Sequence, residues 1–372
     1  MIPPPRQGSG QAERNVRVLI ADDTAFNRKI LSEMLSRTPG VEVVGTAYDG
    51  QVTIKRIEQL QPDVLTLDLE MPALDGFSVL RWVMANRPLP VIVVSSHATD
   101  KNVFKALDLG AVDFIAKPGK RASVELHDIE VDLAAKVLAA ASAHLKSAVP
   151  PPAQEPPSPS LPPPPLEPPP IPVGTEGEAD VVLIGSSTGG PTIIQQSLAA
   201  FPENLPVSVL VAQHMPPIFT NLFASRLDRA CNLTVREAED GDAIEPGHAY
   251  VAPGGKRTTV AIGKKRPVLR VHPKNENDRF APSISHLFQS AAETLGISKK
   301  LLGVILTGMS GDGRQGVEAL KKADGTTVVE SPETATVRSM PEEIIRAGLA
   351  DVVCSAENMA VEILKRCRGP RR

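Results

Sequence analysis

The chain has 372 residues, enough for two ordinary domains that each bury a core. A formal net charge of −3 takes no side on nucleic acid, but aromatics at 3% leave too few rings for a base-stacking surface. No run of about 18 apolar residues exists to span a membrane as a helix, and residues 1–15 lack the apolar centre of a secretory signal.

In chain order, the first 15 residues read as a disordered leader. Short β-branched runs then alternate with helical patterns. The runs are Val16–Ala21, Val41–Ala47, Val64–Leu67, Val91–Ser95 and Asp113–Ala116, and a final helix is expected over Glu125–Leu145. Five strands alternating with five helices imply a flavodoxin-like parallel sheet covered on both faces, from residue 16 to 147. Right-handed crossovers bring the C-terminal ends of all strands to one edge.

Residues 150–172 hold 14 prolines in 23 positions, which no packed core can use. Within a linker drawn at 148–178, this stretch reads as a polyproline spacer reaching roughly 70 Å if extended. It is a tether first and a docking site for a proline-recognising partner second.

From 179 to 367 the alternation returns, predicting a Rossmann-like doubly wound α/β domain. Val181–Ile184, Val207–Ala212 and Leu302–Leu306 are its core strands. Between Leu233 and His272, short runs with Gly and Pro turns, including Ala249–Ala252, Thr258–Ile262 and Val268–Val271, predict an antiparallel excursion. The basic tail 368–372 reads as solvated. The three cysteines have no metal-ligand spacing, which fits reduced thiols in a cytoplasm.

Chemistry in such sheets gathers at the C-terminal strand edge. Asp22 and Asp23 end the first strand and Asp68 the third. Three carboxylates at one edge repel one another, and Mg²⁺ suits that oxygen set. Lys117 and Ser95 end neighbouring strands, where they can meet a phosphoryl group on Asp68.

This constellation resembles the receiver domain of bacterial response regulators. The resemblance implies that Asp68 accepts a phosphoryl group from a histidine kinase. It places Mg²⁺ on Asp23, Asp68 and the Glu70 carbonyl, with Asp22 supporting through water, and it makes Ser95 and Phe114 a switch pair.

In the second half, Gly185-Ser186-Ser187-Thr188-Gly189 has the spacing of a nucleophile elbow ahead of a helix. A plain phosphate-binding or turn loop has the same composition. His214 follows the strand Val207–Ala212, and Asp312 follows Leu302–Leu306. Serine, base and orienting carboxylate would then come from the tops of three strands. His248, His272, His286, Asp242 and Asp278 read as surface or packing residues.

The segments 184–190, 213–217, 251–255 and 305–313 resemble the catalytic domain of the CheB protein-glutamate methylesterases. The order receiver, linker, esterase also resembles that family. The resemblance implies hydrolysis of glutamyl methyl esters, and deamidation of glutamines, on methyl-accepting chemotaxis receptors. The enzyme is expected to be monomeric, to bind no nucleic acid, to insert into no membrane, and to need no cofactor at the esterase site. It assigns the triad to Ser187, His214 and Asp312, with oxyanion donors from the backbone of Thr188, Gly189 and Met309. A receiver preceding a DNA-binding output is the competing class, and a serine hydrolase of other esters is a third.

Overall fold

The computed structural model describes residues 14–95, 101–117, 123–143 and 177–369. The proline-rich stretch 150–172, nearly all of the expected leader and the last three residues lie outside the described residues.

The first unit runs β1 (Val16–Ala21), α1 (Ala25–Ser36), β2 (Val41–Ala47), α2 (Gly50–Leu60), β3 (Val64–Asp68), α3 (Gly76–Asn86), β4 (Val91–Ser95), α4 (Lys101–Asp108), β5 (Asp113–Ala116) and α5 (Ser123–Ala141). Its five strands pair in parallel in the order β2-β1-β3-β4-β5. All residues of β3, β4 and β5 are buried, as a sheet covered on both faces requires. Asp49 and Asp75 cap α2 and α3, accepting from the N–H groups of Val52 and Ser78. The order reverses between β1 and β3, so their C-terminal ends flank a crevice.

The second unit continues with β6 (Val181–Ser186), α6 (Gly190–Ala199), β7 (Ser208–Gln213), α7 (Pro217–Ala230), β8 (Thr234–Glu237), β9 (His248–Val251), β10 (Lys256–Ile262) and β11 (Pro267–Pro273). It ends with α8 (Ile284–Leu295), β12 (Leu301–Ile305), α9 (Arg314–Lys322), β13 (Thr326–Glu330), α10 (Ser339–Arg346), β14 (Val352–Cys354) and α11 (Met359–Arg366). Seven strands form its sheet in the order β14-β13-β12-β6-β7-β9-β8. Gly177 and Ala179 bridge to Arg368 and Cys367, so the segment entering this unit is pinned to the one leaving it.

The excursion expected between Leu233 and His272 is smaller than its sequence implied. Among the described strands β10 and β11 pair antiparallel, as a two-stranded hairpin joined by one antiparallel bridge from Ala243 to Val268. The run at Ala249 belongs to β9, which adds to the main sheet in parallel with β7 and with the unforeseen strand β8. Short length and flanking glycine turns imitate a hairpin here. The connections through α7 and through the loop after β8 instead return each strand in the same direction.

One buried apolar cluster is continuous from the first unit into the second. At the junction Phe104 of α4 stacks on Phe223 of α7, with centroids 5.7 Å apart. Phe114 of β5 meets Phe219 of α7 edge-on at 4.6 Å. Each such pair adds about 0.5–1.5 kcal/mol beyond the area it buries.

Candidate active site

The order of the second sheet reverses between β6 and β12, and the crevice there receives the residues singled out above. Ser187 is the first residue past β6, and His214 the first past β7. Asp312 lies in the loop between β12 and α9.

The two glycines framing Ser187 serve different ends. Gly189 takes φ +83°, and a Cβ there would come within 2.6 Å of Thr336 Oγ1. Gly185 lies within the strand in ordinary geometry; a Cβ there would strike Ile284 of α8 at 2.4 Å. One glycine makes the turn, and the other lets α8 close against the sheet.

His214 Nε2 lies 2.9 Å from Asp312 Oδ2. The imidazole is therefore oriented through Nε2, leaving Nδ1 for a substrate-side proton. Phe280 stacks on the ring at 4.8 Å, with the planes 5° apart. Asp312 is buried and accepts also from Ser283 Oγ, Ile284 N and Ser285 N. Burial by itself lifts its carboxyl pKa. The hydrogen bond to His214, its electrostatic pull and the two N–H groups overcome that and hold the group well below the usual carboxylate range.

A depressed folded pKa stabilises the fold above the ordinary Asp value, and that contribution is lost as pH falls. Urea unfolding of the parent should therefore lose more stability below about pH 4 than unfolding of Asp312→Asn does. Parallel pH profiles would refute the point.

Among the described residues no hydrogen bond joins Ser187 Oγ to the imidazole. What ties the two residues together is Gln213. Its amide nitrogen donates to the carbonyls of both Ser187 and His214, at 2.9 Å each, and its oxygen accepts from Ser186 Oγ. Gln213 was read only as part of a matching segment, and its clamp was not foreseen. A glutamine ending a buried strand beside a candidate histidine was the available signal.

The expected oxyanion donors surround the serine. The N–H groups of Thr188, Gly189 and Met309 donate to no protein acceptor among the described residues. The turn carrying Met309 lies against the nucleophile, since a Cβ on Gly308 would sit 2.7 Å from Ser187 Cβ. The other candidates stand apart from the triad. Asp278 pairs with Arg257 and His286, Asp242 pairs with Arg236, and His248 contacts the Pro246 carbonyl.

In the first unit, Asp22, Asp23 and Asp68 place carboxylate oxygens within 4.8 Å of one another. Lys117 Nζ reaches Asp68 Oδ2 at 2.5 Å and Asp22 at 3.4 Å. Burial still raises the Asp68 pKa to about 6, despite the opposing hydrogen bond from Lys117. Repelling carboxylates short of positive charge fit a hard divalent cation. Ser95 ends β4 beside this cluster, and Phe114 points away into the junction with α7.

The first unit also reaches the catalytic loop. Asp113 Oδ2 accepts a 2.5 Å hydrogen bond from Thr188 Oγ1, beside the nucleophile. Buried Lys136 lies 3.4 Å from Asp113 and 3.1 Å from Asp132, and donates to the Phe114 carbonyl. Burial lowers the Lys136 pKa, but the two carboxylates outweigh it and raise the value. At the rim, Arg226 of α7 holds both oxygens of Asp108 at 2.8 Å.

The comparisons with known proteins meet this geometry. The family model for the response regulator receiver domain matches residues 18–127, and that for the CheB methylesterase matches residues 182–363. The protein-glutamate methylesterase/protein-glutamine glutaminase 3 of Geobacter sulfurreducens is 42% identical over 365 residues, covering 95% of this chain and 98% of its own. The chain belongs to the CheB family of protein-glutamate methylesterases. Enzyme 1 of Myxococcus xanthus, with the same family name, is 44% identical, covering 90% of this chain and 92% of its own. The crystal structure of the Thermotoga maritima CheB methylesterase catalytic domain is 36% identical. It covers 51% of this chain and 98% of that one, with a TM-score of 0.48. In this CheB chain no helix among the described residues is long and apolar enough to cross a membrane.

Proposed function

We propose that Ser187, His214 and Asp312 hydrolyse glutamyl methyl esters on chemotaxis receptors, and that the same residues deamidate glutamines. The observation that carries this reading is the pairing of His214 with buried Asp312, clamped through Gln213 to the backbone of Ser187. Ser187 Oγ attacks the γ-carbonyl while His214 Nδ1 takes its proton, and Asp312 stabilises the imidazolium. The N–H groups of Thr188, Gly189 and Met309 hold the oxyanion, each typically worth about 2.7–4 kcal/mol of barrier. His214 returns the proton to the leaving methoxide and methanol departs. Water, deprotonated by His214, then hydrolyses the acyl-serine and leaves glutamate. A glutamine follows the same path with ammonia as the leaving group.

Asp68 is the proposed phosphoacceptor, served by a chemotaxis histidine kinase in the cytoplasm. Asp23, Asp68 and the Glu70 carbonyl would hold Mg²⁺, with Asp22 behind them, and the ion would shield phosphoryl charge during transfer. Lys117 and Ser95 would meet the phosphoryl oxygens. Phe114 would relay the change to Phe219 and loosen the grip of Asp113 on Thr188.

The experiment is methanol release from a methylated receptor, with and without a small-molecule phosphodonor. Asp68→Asn should keep the unstimulated rate and lose all stimulation. A variant that still responds to the phosphodonor would place the acceptor elsewhere.

A further inference from the structure

Residues 256–279 carry eight Lys or Arg and two carboxylates, while the rest of this net-acidic chain has 32 of the former and 41 of the latter. They form the β10–β11 hairpin and the strand-to-helix loop leading to α8. The hairpin buries Thr258, Val260 and Leu269 towards α8, where Val260 N and O bond Ser290 and Thr294. The opposite face carries the cross-strand pairs Arg257–His272 and Thr259–Arg270.

Charge on the hairpin is distributed unevenly. Near the turn, Arg266 pairs with Glu245, and Arg270 with Asp240 at 3.2 Å. Near the base, Lys256, on the side shared with Thr258 and Val260, is exposed with no ion pair among the described residues, and exposed His272 has only the nearby charge of Asp240. Arg257 has only Asp278, at 3.6 Å. The base also holds an open groove of about 550 Å³ lined by Arg257, Thr259, His272, Pro273 and Asn275.

The groove leads to the catalytic base through a short chain of contacts. Arg257 faces Asp278, the neighbouring Arg279 lies 5.3 Å over the Phe280 ring, and Phe280 stacks on His214. The triad's product is a carboxylate, so a substrate segment with several modifiable glutamates becomes more anionic with each turnover. We propose that this basic groove docks the glutamate-bearing helical segment flanking the scissile ester, through carboxylates one or more turns away along the substrate helix. The proposal rests on the methylesterase reading above and adds the surface that positions its substrate. Cations beside the site favour an anionic partner and steer its approach.

The test uses the full chain and a soluble, methylated cytoplasmic receptor fragment. Lys256→Glu/His272→Glu places two exposed negative charges at the base without removing a buried partner, and Lys256→Arg/His272→Lys places two positive ones there. Affinity is measured in the Ser187→Ala background by fluorescence anisotropy, and turnover in the active background. The reversed variant should bind about ten-fold more weakly, raise KM with kcat unchanged, and lose the parent's salt dependence. Its hydrolysis of a small neutral ester should match the parent. Arg257→Gln should act in the same direction with a smaller effect.

Unchanged affinity in the reversed variant overturns the docking proposal. Weakened affinity in a parent that releases no methanol supports docking and overturns the esterase reading instead. Vesicles of anionic lipid without receptor form the other arm. Sedimentation of the parent and not the reversed variant, with receptor affinity unaltered, would assign the groove to a membrane surface and sink the proposal.

Discussion

Replacing Ser187 with alanine should reduce methanol release from methylated receptor by about 10⁴-fold or more, with the fold intact. In the proposed mechanism this hydroxyl forms the acyl-enzyme. His214 and Asp312 lose their purpose without it but not their positions. Ser187 is tied into the structure by its backbone: its N–H donates to Thr307 O, and its carbonyl accepts from Gln213 and Gly190. None of these bonds needs the hydroxyl, so the thermal midpoint should stay close to the parent's. Deamidation should fall with demethylation, because both leaving groups depart from one tetrahedral centre. A variant with near-parental methanol release would remove serine from the chemistry altogether.

Loosening the junction between receiver and esterase should have the opposite effect. In Phe104→Ser, methanol release without phosphodonor is expected to rise about ten-fold or more. The ring is buried between the receiver and α7, stacked on Phe223, with Arg226 5.5 Å above it. Truncating a buried phenylalanine typically costs about 3–5 kcal/mol. Part of that falls on the receiver's own packing, including the contact with Phe114. A share of only about 1.4 kcal/mol at the junction shifts the closed population ten-fold. Deleting residues 1–148 sets the ceiling, with a rate indifferent to phosphodonor. The relevant measurement is unstimulated methanol release by all three proteins. Equal rates would show that the contact of Asp113 with Thr188 does not restrain the enzyme.

This junction also defines how the proposed switch would act. Thr188 supplies a proposed oxyanion donor through its backbone while its side chain is held by Asp113. Asp113 is in turn neutralised by Lys136, a buried cation shared with the partly exposed Asp132. Removing one partner of a buried ionic set typically costs about 3–5 kcal/mol, because the remaining charge is stranded. Release by sliding the set away intact is therefore cheaper than release by breaking it. Phe114 is well placed to drive that movement, since it is the next residue after Asp113 and packs on Phe219.

Much of the architecture was legible before any coordinates. β3 and β4 begin where their apolar runs begin, because strands buried on both faces must be continuously apolar. The carboxylates of Asp22, Asp23 and Asp68 converge because strand ends in a parallel sheet share an edge. The same rule brought His214 and Asp312 together from positions 98 residues apart. The reading failed where neighbours in space leave no local mark. β8 was missed, and β9 was assigned to an antiparallel excursion.

What the sequence determined by itself was the alternation of strand and helix, the edge on which each polar group emerges, and the glycine turn before α6. Those follow from backbone sterics and from local spacing of apolar and polar residues. Only the tertiary structure decided which imidazole nitrogen faces Asp312, that Gln213 joins Ser187 to His214, and that Asp113 reaches Thr188 across 75 residues. Such partners are chosen by packing summed over two whole units, and no short window of sequence contains that sum.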